Sequence, residues 1–424
     1  MQAVINPGTI AGSVRAPGSK SMTQRAFAAA LLHTGTTIVR NPGTSGDDRA
    51  ALHIIQQLGA KVHTPANNEL EIISHGVQPV NNEINCGESG LCARLFAPIA
   101  AISHLPVIIT GHGTLVQRPM QVYKSVFEQL HVTSGDFTGQ IPFTVQGPLN
   151  VQDITIDGSQ SSQFLSGLLF AYAFTAPEPV TITVNDLKST PYIDLTLSIL
   201  QLYGKKVTHH QYQTFQVQPS VQVAAAPVVI DIEGDWSSAA YWLVAGAING
   251  EVTVEHIDIA SLQADKAILE VLQYAGVSMS IGFDQVTTRK SRIKAFDFNA
   301  THAPDLFPIL AILAAYAEGE SYITGLHRLW HKETNRAETI AEMLLSLEVP
   351  FSIEDDYLAI TGCGQPTGGY VNSCHDHRIA MAAGIAGIRS RNNLIIDNAE
   401  AVNKSYPDFY KHLQSLNIKC SFTE

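Results

Sequence analysis

The sequence contains few cysteines, few charged residues and no long apolar run. Its five cysteines include no C-x-x-C pair, which argues against both a disulfide framework and a zinc site. The segment from Met1 to Pro17 also lacks the apolar stretch of a secretion signal. Because the cysteine pattern favours neither disulfides nor a zinc site, we expect a cytoplasmic protein without a metal. Three apolar runs are too short to span a bilayer and predict buried helices and no membrane partner: Phe164 to Phe174, Ala239 to Ile248 and Leu306 to Ala317.

Charge is the second scarcity. Charged residues make up 15% of the chain and the formal net charge is -12, so the basic excess of a nucleic-acid-binding protein is missing. This acidic balance does not exclude anionic substrates, because a few convergent Lys and Arg residues outweigh distant, screened carboxylates. With 424 residues the chain is long enough for two or three domains.

Short β-branched or alternating segments recur along the chain, with Ala- and Leu-rich stretches between most of them. The first pattern predicts strands and the second predicts helices, so we expect an α/β protein built of short modules. The predicted strands are Thr36 to Val39, Glu69 to Ser74, Val107 to Thr110, Ile154 to Ile156, Val180 to Val184, Val228 to Ile232, Glu251 to Val254, Tyr322 to Thr324, Leu358 to Thr361 and Asn393 to Asp397.

The leading candidate for a binding site is Pro17 to Arg25, just before the apolar run from Ala26 to Leu32. Ser19 is placed to cap a helix, and Lys20 and Arg25 stand near its first turn, where backbone N–H groups and the helix dipole favour an anion. The spacing is not that of a nucleotide P-loop. A phosphorylated small molecule fits this pattern, and an N-capped surface helix with two solvated cations fits it about equally well.

Other polar clusters stand at turns and predicted helix starts. Gly90 would allow a ligand close to the backbone and Arg118 would supply a cation, although a plain helix start and a surface turn explain them too. The run Ser161 to Gln163 offers more hydrogen-bonding side chains than a cap requires, which favours ligand contact. The run Ser189 to Tyr192 adds hydroxyls around a proline, with a structural role left equally open.

Asp305 precedes a helix so apolar that it must be buried. An N-cap is the ordinary role of such a residue. The alternative is a general base, since a neighbouring phosphate would raise the pKa of the Asp305 carboxyl and suit it to abstract a proton from a hydroxyl. Three further polar clusters follow: Lys332 to Arg336, Asp376 to Arg378 and Lys404 to Phe409.

Some of these modules are similar to one another. Ser161 opens an apolar helix in the first half of the chain, and the run Gly234 to Ala239 opens another in the second half. Similar units at long intervals suggest two pseudo-repeated lobes. The best boundary is the Ala/Pro stretch from Val223 to Pro227.

Taken in order, these stretches closely resemble the 5-enolpyruvylshikimate 3-phosphate synthase family, the 3-phosphoshikimate 1-carboxyvinyltransferases. The resemblance implies a two-lobed enolpyruvyl transferase fold, each lobe being three βαβαββ-type repeats with helices inside and sheet outside. By analogy, one lobe covers 15–226 and the other covers 1–14 with 227–424. The most specific marks are PGSKSMTQR at Pro17 to Arg25, SSQ at Ser161 to Gln163, KETNR at Lys332 to Arg336, DHR at Asp376 to Arg378 and KSYPDF at Lys404 to Phe409.

The resemblance also implies the site residues, no cofactor, no metal and a monomer. Arg forks suit planar carboxylates and Lys supplies a point charge, so the set suits two phosphates and two carboxylates. Shikimate 3-phosphate would contact Lys20, Ser21, Arg25, Ser161, Ser162, Gln163, Ser189, Tyr192 and Asp305. Phosphoenolpyruvate would contact Lys20, Gly90, Arg118, Gln163, Arg336, His377, Arg378 and Lys404.

In the family reaction the 5-hydroxyl of shikimate 3-phosphate adds to C2 of phosphoenolpyruvate while C3 is protonated, and the adduct then expels phosphate. By resemblance, Asp305 would deprotonate the hydroxyl and Glu333 with Lys20 would protonate the methylene, or the carboxylates would exchange roles between the two steps. Three positions depart from the family pattern, because Leu91, Arg328 and Asn335 stand where Thr, Asn and Asp are usual.

Three rival functions stay open. A UDP-N-acetylglucosamine enolpyruvyl transferase would share the fold, but its loop cysteine is missing from the run Gly111 to Pro119. A non-catalytic protein that only binds phosphorylated metabolites is disfavoured, since Asp305 and Glu333 are both present. An RNA 3′-phosphate cyclase built from the same repeat is disfavoured by the acidic balance and the missing nucleotide motif.

Overall fold

The computed structural model describes residues 1–65, 68–135, 137–219, 227–330 and 332–423. The chain forms two compact units. One unit comprises residues 18–232 and is called here the continuous unit. The other comprises 1–17 with 233–424 and is called the split unit.

Helices begin where the sequence supplies caps and apolar runs. The three predicted buried helices are confirmed as α5, α7 and α9 in the following list. The α-helices of the described residues are α1 (Lys20–Leu32), α2 (Gly46–Gln57), α3 (Gly90–Ala100), α4 (Val122–Gln129), α5 (Ser162–Thr175), α6 (Pro191–Leu202), α7 (Trp236–Asn249), α8 (Ile268–Tyr274), α9 (Phe307–Ala315), α10 (Arg336–Ser346), α11 (His377–Gly387) and α12 (Phe409–Ser415). Short 3-10 helices lie at Gly113–Gln117, Ala264–Ala267, Pro304–Leu306, Leu326–Leu329 and Ala399–Lys404.

All ten predicted strands are confirmed, with bounds that shift by at most two residues. The strands are β1 (Gln2–Ile5), β2 (Ile10–Arg15), β3 (Gly35–Arg40), β4 (Lys61–His63), β5 (Glu69–Ser74), β6 (Glu83–Asn85), β7 (Val107–Thr110), β8 (Phe143–Val145), β9 (Ile154–Asp157), β10 (Val180–Asn185), β11 (Val207–His210), β12 (Thr214–Val217), β13 (Val228–Asp231), β14 (Gly250–Glu255), β15 (Ser278–Ile281), β16 (Gln285–Arg289), β17 (Asp297–Asn299), β18 (Glu320–Thr324), β19 (Phe351–Ile353), β20 (Tyr357–Thr361), β21 (Gly369–Asn372), β22 (Leu394–Asp397) and β23 (Cys420–Thr423).

One sheet pattern recurs along the chain. A parallel pair of strands continues into one or two antiparallel strands, as in the order β9, β10, β12, β11, where Ile182 of β10 lies opposite Ile154 of β9. The continuous unit contains two further sheets, in the orders β13-β3-β5-β4 and β6-β7-β8. The split unit contains β2-β14-β16-β15, β17-β18-β20-β19 and β21-β22-β1-β23. Within the described ranges each unit therefore has three sheets of one design, as the βαβαββ repeat predicts.

Three helices of each unit are buried on nearly every side. These inner helices are α1, α3 and α5 in the continuous unit and α7, α9 and α11 in the split unit, and each set packs together. Helix α9, with the sequence FPILAILAA, is buried along its whole length. Burying each Leu or Ile side chain contributes about 1.5–3 kcal/mol, so these helices carry much of the core. Within each unit, these three helices are inside and the sheets outside, as predicted.

The predicted boundary from Val223 to Pro227 lies, apart from Pro227, outside the described residues. The strand that follows it, β13, pairs in parallel with β3, which places β13 in the continuous unit. The predicted lobe limits, 15–226 and 1–14 with 227–424, stay a prediction. Among the helices of the described residues, none combines the length and apolar character needed to cross a membrane.

Candidate active site

The start of α1 is built as the sequence predicts. The Ser19 hydroxyl caps the helix by accepting from the Met22 backbone N–H at 3.4 Å. Gly18 is required before it, because a Cβ there would lie 2.3 Å from the Asn41 carbonyl oxygen. Lys20 Nζ lies 2.9 Å from Asp47 Oδ2, and its side chain is 18% exposed. The predicted helix N-terminus with a cation is confirmed, while contact with a ligand stays a prediction.

Arg25 is a buried cation held by neutral groups. The residue is 1% exposed, and its Nε donates to Thr196 Oγ1 at 2.9 Å. Its Nη1 donates to the Ser21 carbonyl oxygen at 2.9 Å, and Nη2 lies 3.5 Å from Ser166 Oγ. Burial lowers the pKa of Arg25 to about 10, so the side chain is still charged at neutral pH. Within the described residues no carboxylate pairs with it, so an anion from outside would find its charge unneutralised.

The start of α5 carries the predicted SSQ run. Ser161 caps the helix by accepting from the Gln163 backbone N–H at 3.3 Å. Gln163 Oε1 accepts from Arg94 Nη1 at 2.9 Å, and the Arg94 guanidinium carbon lies 4.9 Å from the centre of the Phe164 ring. Arg94 is 3% exposed, so the Gln163 side chain is held in place by a hydrogen bond to a buried guanidinium. Ser162 is buried beside them.

Gly90 is packed under a guanidinium. It is the first residue of α3, after the cap residue Ser89. A Cβ on Gly90 would lie 2.3 Å from Arg118 Nη1 and 2.6 Å from its guanidinium carbon, so a glycine is what lets Arg118 rest against the helix start. The sequence suggested close backbone approach at Gly90, and the approaching group in this structure is Arg118.

The Ser189 to Tyr192 turn lies next to Arg25. Ser189 adopts a left-handed φ of 56°, and its carbonyl oxygen accepts from the Tyr192 N–H at 3.2 Å. The Tyr192 carbonyl oxygen accepts from Thr196 Oγ1 at 2.9 Å, and the ring centre lies 5.9 Å from the Arg25 guanidinium carbon. Hydrogen bonds between polar side chains thus connect α1, α3 and α5, and within the described residues no carboxylate pairs with Arg25.

The split unit contains a network of opposite charges around Arg336, which is 0% exposed. Its Nε donates to Asp376 Oδ2 at 2.8 Å, its Nη1 donates to Asp305 Oδ1 at 2.8 Å, and its Nη2 pairs with Glu333. Asp376 is also the cap of α11, accepting from the Arg378 backbone N–H at 2.9 Å. Three carboxylates therefore surround one guanidinium.

Asp305 is not an N-cap, so that alternative is wrong. The residue lies in the 3-10 helix before α9, and its carboxylate bridges cations instead of backbone N–H groups. Besides Arg336, it accepts from Lys332 Nζ at 3.0 Å and from Arg378 Nη2 at 3.1 Å. Burial alone would raise the pKa of Asp305, but the charges of Arg378, Lys332 and Arg336 outweigh it and hold the pKa well below the usual range.

The remaining predicted residues of the split unit lie near this network. Lys404 Nζ is 3.8 Å from Glu333 Oε1, and His377 Nδ1 is 4.0 Å from Asp376 Oδ1. Among the described residues no group of three or more His, Cys, Asp or Glu side chains is arranged to hold a metal ion. The carboxylates here pair with Arg and Lys side chains, which balances the buried charges.

Sequence reasoning missed several residues of these clusters. Arg94 and Asp47 contact predicted site residues directly, and a lone Arg in an apolar helix was the available signal for Arg94. Asp265 is a buried carboxyl bonded to Ser237, and burial followed by the charge of Asp305 raises its pKa to about 6. Nothing in its surrounding sequence distinguishes Asp265 from an ordinary helix-start acid.

Comparison with known proteins places this chain in a family. The chain matches the family model described as EPSP synthase (3-phosphoshikimate 1-carboxyvinyltransferase) over residues 4–413. The 3-phosphoshikimate 1-carboxyvinyltransferase of Clostridium novyi is 33% identical over 421 residues, covering 97% of this chain and 96% of the relative. The protein of the same name from Methanocorpusculum labreanum is 34% identical over 419 residues and covers 98% of each chain.

Solved structures agree with these sequence relatives. EPSP synthase from Acinetobacter baumannii has a TM-score of 0.83 and 26% identity, over 99% of this chain and 100% of that chain. The enolpyruvyl transferase NikO from Streptomyces tendae has a TM-score of 0.82 and covers 100% of this chain and 98% of its own. Because NikO is only 18% identical, it supports the fold alone, and the expected enolpyruvyl transferase fold is confirmed. The chain belongs to the EPSP synthase family.

Proposed function

We propose that this protein transfers the carboxyvinyl group of phosphoenolpyruvate to the 5-hydroxyl of shikimate 3-phosphate and releases phosphate, a step toward chorismate and aromatic amino acids. Family membership supports the reaction. The observation that carries the assignment of residues is the contrast between Arg25, a buried cation with neutral partners, and Arg336, a cation that holds Asp305 and Glu333. The reaction needs a cation that binds a substrate anion and carboxylates that transfer protons.

The residues of the continuous unit are proposed to bind shikimate 3-phosphate. Arg25 supplies a charge that no carboxylate within the described residues balances, which favours an anionic ligand. Lys20, at the first turn of α1, adds a second cation where the helix dipole also favours negative charge. The neutral donors proposed to fix the sugar-like ring are Ser21, Ser161, Ser162, Gln163, Ser189 and Tyr192.

Phosphoenolpyruvate is proposed to bind the Arg and Lys forks. Arg118 rests against Gly90, which fixes its guanidinium for a planar anion. Arg336 and Lys404 lie on either side of Glu333, so binding there would bring the phosphoenolpyruvate anion close to a carboxyl able to protonate C3. The proposed contacts are completed by Lys20, Gln163, His377 and Arg378.

Asp305 is proposed as the base that removes the hydroxyl proton. In this structure three cations depress its pKa, so it is ionised and able to accept a proton, but it is a weak base. Substrate phosphate and carboxylate groups would compete for Lys332 and Arg378. Drawing those cations away raises the pKa of Asp305 toward the range in which proton abstraction is efficient. Binding of the anions thus prepares the base.

Two further proposals concern the location and the oligomeric state of the protein. We propose a cytoplasmic location, supported by five cysteines that all remain free thiols. We also propose a monomer, since each unit supplies its own core and the predicted residues all come from one chain. Cell fractionation and light scattering on the purified protein test these two statements.

Phosphate release tests the proposed reaction. Purified protein is incubated with phosphoenolpyruvate and either shikimate 3-phosphate or UDP-N-acetylglucosamine, and the products are identified by mass. We expect stoichiometric phosphate and the enolpyruvyl ether only with shikimate 3-phosphate. Release with the nucleotide sugar would establish the rival transferase, and release with neither would favour a binding protein.

A further inference from the structure

Two buried side chains of the split unit and the half-buried His412 form a hydrogen-bonded chain next to the Lys404 segment. Trp242 Nε1 lies 2.9 Å from Tyr406 Oη, and Tyr406 Oη lies 2.6 Å from His412 Nδ1. Trp242 is 0% exposed and Tyr406 is 1% exposed, and Phe409 packs against both rings. The three residues come from α7, from the segment after the Ala399–Lys404 helix, and from α12.

The direction of this chain follows from what each group is able to donate. An indole N–H only donates, so Tyr406 Oη must accept from Trp242. The hydroxyl proton of Tyr406 then has one described acceptor, His412 Nδ1, and a buried hydroxyl without an acceptor is costly. Neutral His412 therefore carries its proton on Nε2, and the chain runs from Trp242 to Tyr406 to His412.

Tyr406 also holds the backbone that presents Lys404. Its N–H donates to the Val402 carbonyl oxygen at 2.7 Å, which closes the turn that contains Lys404. From that turn the Lys404 side chain, 8% exposed, places its ammonium 3.8 Å from Glu333. Because Tyr406 closes the turn from which Lys404 extends, a movement of the Tyr406 backbone would change the distance between the Lys404 ammonium and Glu333.

We propose that Tyr406 is a positioning residue for Lys404, anchored by Trp242 and His412 so that the ammonium is held for the phosphoenolpyruvate anion. The role of Lys404 rests on the proposed function, whereas the anchoring of the 399–408 segment does not. Because the anchor ends on a histidine, it responds to pH. A proton on Nδ1 turns the acceptor into a donor and leaves the Tyr406 hydroxyl proton without its partner.

The sign of the pH effect follows from the surroundings of His412. Burial lowers its pKa from 6.5; Asp408 opposes this shift and Lys411 adds to it, while Tyr406 faces the ring directly. The anchor is therefore intact above pH 6.5 and weakens as the pH falls through the lowered pKa of His412. Affinity for phosphoenolpyruvate should fall over the same interval.

The test compares Tyr406→Phe with Tyr316→Phe. Both remove one buried hydroxyl of the split unit, but the Tyr316 hydroxyl donates to the Ala386 carbonyl oxygen, which lies outside the 399–408 segment. We expect Tyr406→Phe to raise KM for phosphoenolpyruvate about tenfold and to leave KM for shikimate 3-phosphate within about twofold. Tyr316→Phe should change neither constant. His412→Gln, which keeps an acceptor that does not titrate, should abolish the acid-side rise in KM for phosphoenolpyruvate.

Hydrogen exchange of the 399–408 peptide separates this proposal from the proposed function. Exchange should be faster in Tyr406→Phe than in wild type or Tyr316→Phe. Unchanged exchange, or equal changes of both KM values in the two Tyr variants, would overturn the positioning role. A wild type that releases no phosphate while Tyr406→Phe shows faster exchange would reject the reaction and keep the anchor.

Discussion

The inner helices of the two units begin in different ways. In the continuous unit the caps of α1, α3 and α5 are the serines Ser19, Ser89 and Ser161. In the split unit α7 and α11 are capped by the aspartates Asp235 and Asp376, and a third aspartate, Asp305, lies just before α9. Six helices of one sheet-and-helix design thus receive neutral caps in one unit and acidic residues in the other.

This difference changes the charge that each unit requires in a ligand. In the continuous unit Arg25 contacts hydroxyl and carbonyl groups and has no carboxylate partner among the described residues, so an anionic substrate would supply the missing charge. In the split unit Asp305, Glu333 and Asp376 already balance Arg336, and a substrate anion that draws cations away from Asp305 would free that carboxylate to accept a proton. The continuous unit is arranged to bind an anion, and the split unit holds the carboxylates proposed to transfer protons.

The comparison is tested most severely at Asp376. The substitution Asp376→Ala leaves Arg336 buried with one carboxylate fewer and removes the cap of α11. We expect the free energy of unfolding to fall by about 3–5 kcal/mol, measured by urea denaturation. Glu318→Ala, which breaks the solvent-exposed pair with Arg292, is the control and should leave the unfolding midpoint unchanged. Equal effects of the two variants would contradict the importance of the buried network.

Asp305→Asn separates charge balance from catalysis. It keeps the size of the side chain but removes the base, so turnover should fall at least about 100-fold. Because Lys332, Arg336 and Arg378 then have less negative charge beside them, affinity for the anionic substrates should not weaken. Steady-state kinetics with calorimetric binding measures both quantities, and near-normal turnover would refute the assigned role.

Thr196→Val tests the neutral environment of Arg25. The valine has nearly the same shape but offers no acceptor to Arg25 Nε. We expect KM for shikimate 3-phosphate to rise about tenfold, since a hydrogen bond to a buried charge is lost, while KM for phosphoenolpyruvate stays near wild type. Thr196→Ser, which keeps the hydroxyl, should restore the constant. An equal rise for both substrates would indicate general damage to the fold.

Gly90→Ala should have the smallest of these effects. The new Cβ would displace the Arg118 guanidinium, whose flexible side chain is able to shift. We expect KM for phosphoenolpyruvate to rise about fivefold, because the fork is misaligned but not lost. Gly8→Ala, where the nearest atom to the Cβ would be 3.6 Å away, is the control. An unchanged KM in Gly90→Ala would remove Arg118 from the proposed contacts.

Sequence patterns predicted the parts of the fold that are buried and regular. β5 and β10 alternate between the core and the surface and were found with their bounds nearly intact. Several strands were missed, and β4, β11, β15 and β19 among them are short edge strands with few buried residues. Their pairing is decided by the neighbouring strand of the hairpin, which local composition does not reveal.

Motif resemblance named the residues of the candidate site, which stay a prediction, but it did not give the contacts between them. Motif resemblance identified Asp305 and Arg336, but the local sequence suggested a helix cap for Asp305. Its partners Lys332, Arg336 and Arg378 are 27, 31 and 73 residues away, so the charge network exists only in the folded chain. Arg94 was missed for a similar reason, since its partner Gln163 is 69 residues away.

The most direct test of the contrast between the units is calorimetric titration of the wild-type protein with shikimate 3-phosphate and with shikimate. If the Arg25 cation of the continuous unit binds the substrate anion, shikimate 3-phosphate should bind at least about tenfold more tightly than shikimate. That advantage should shrink as salt is added. Equal affinities for the two ligands, unaffected by salt, would contradict the account.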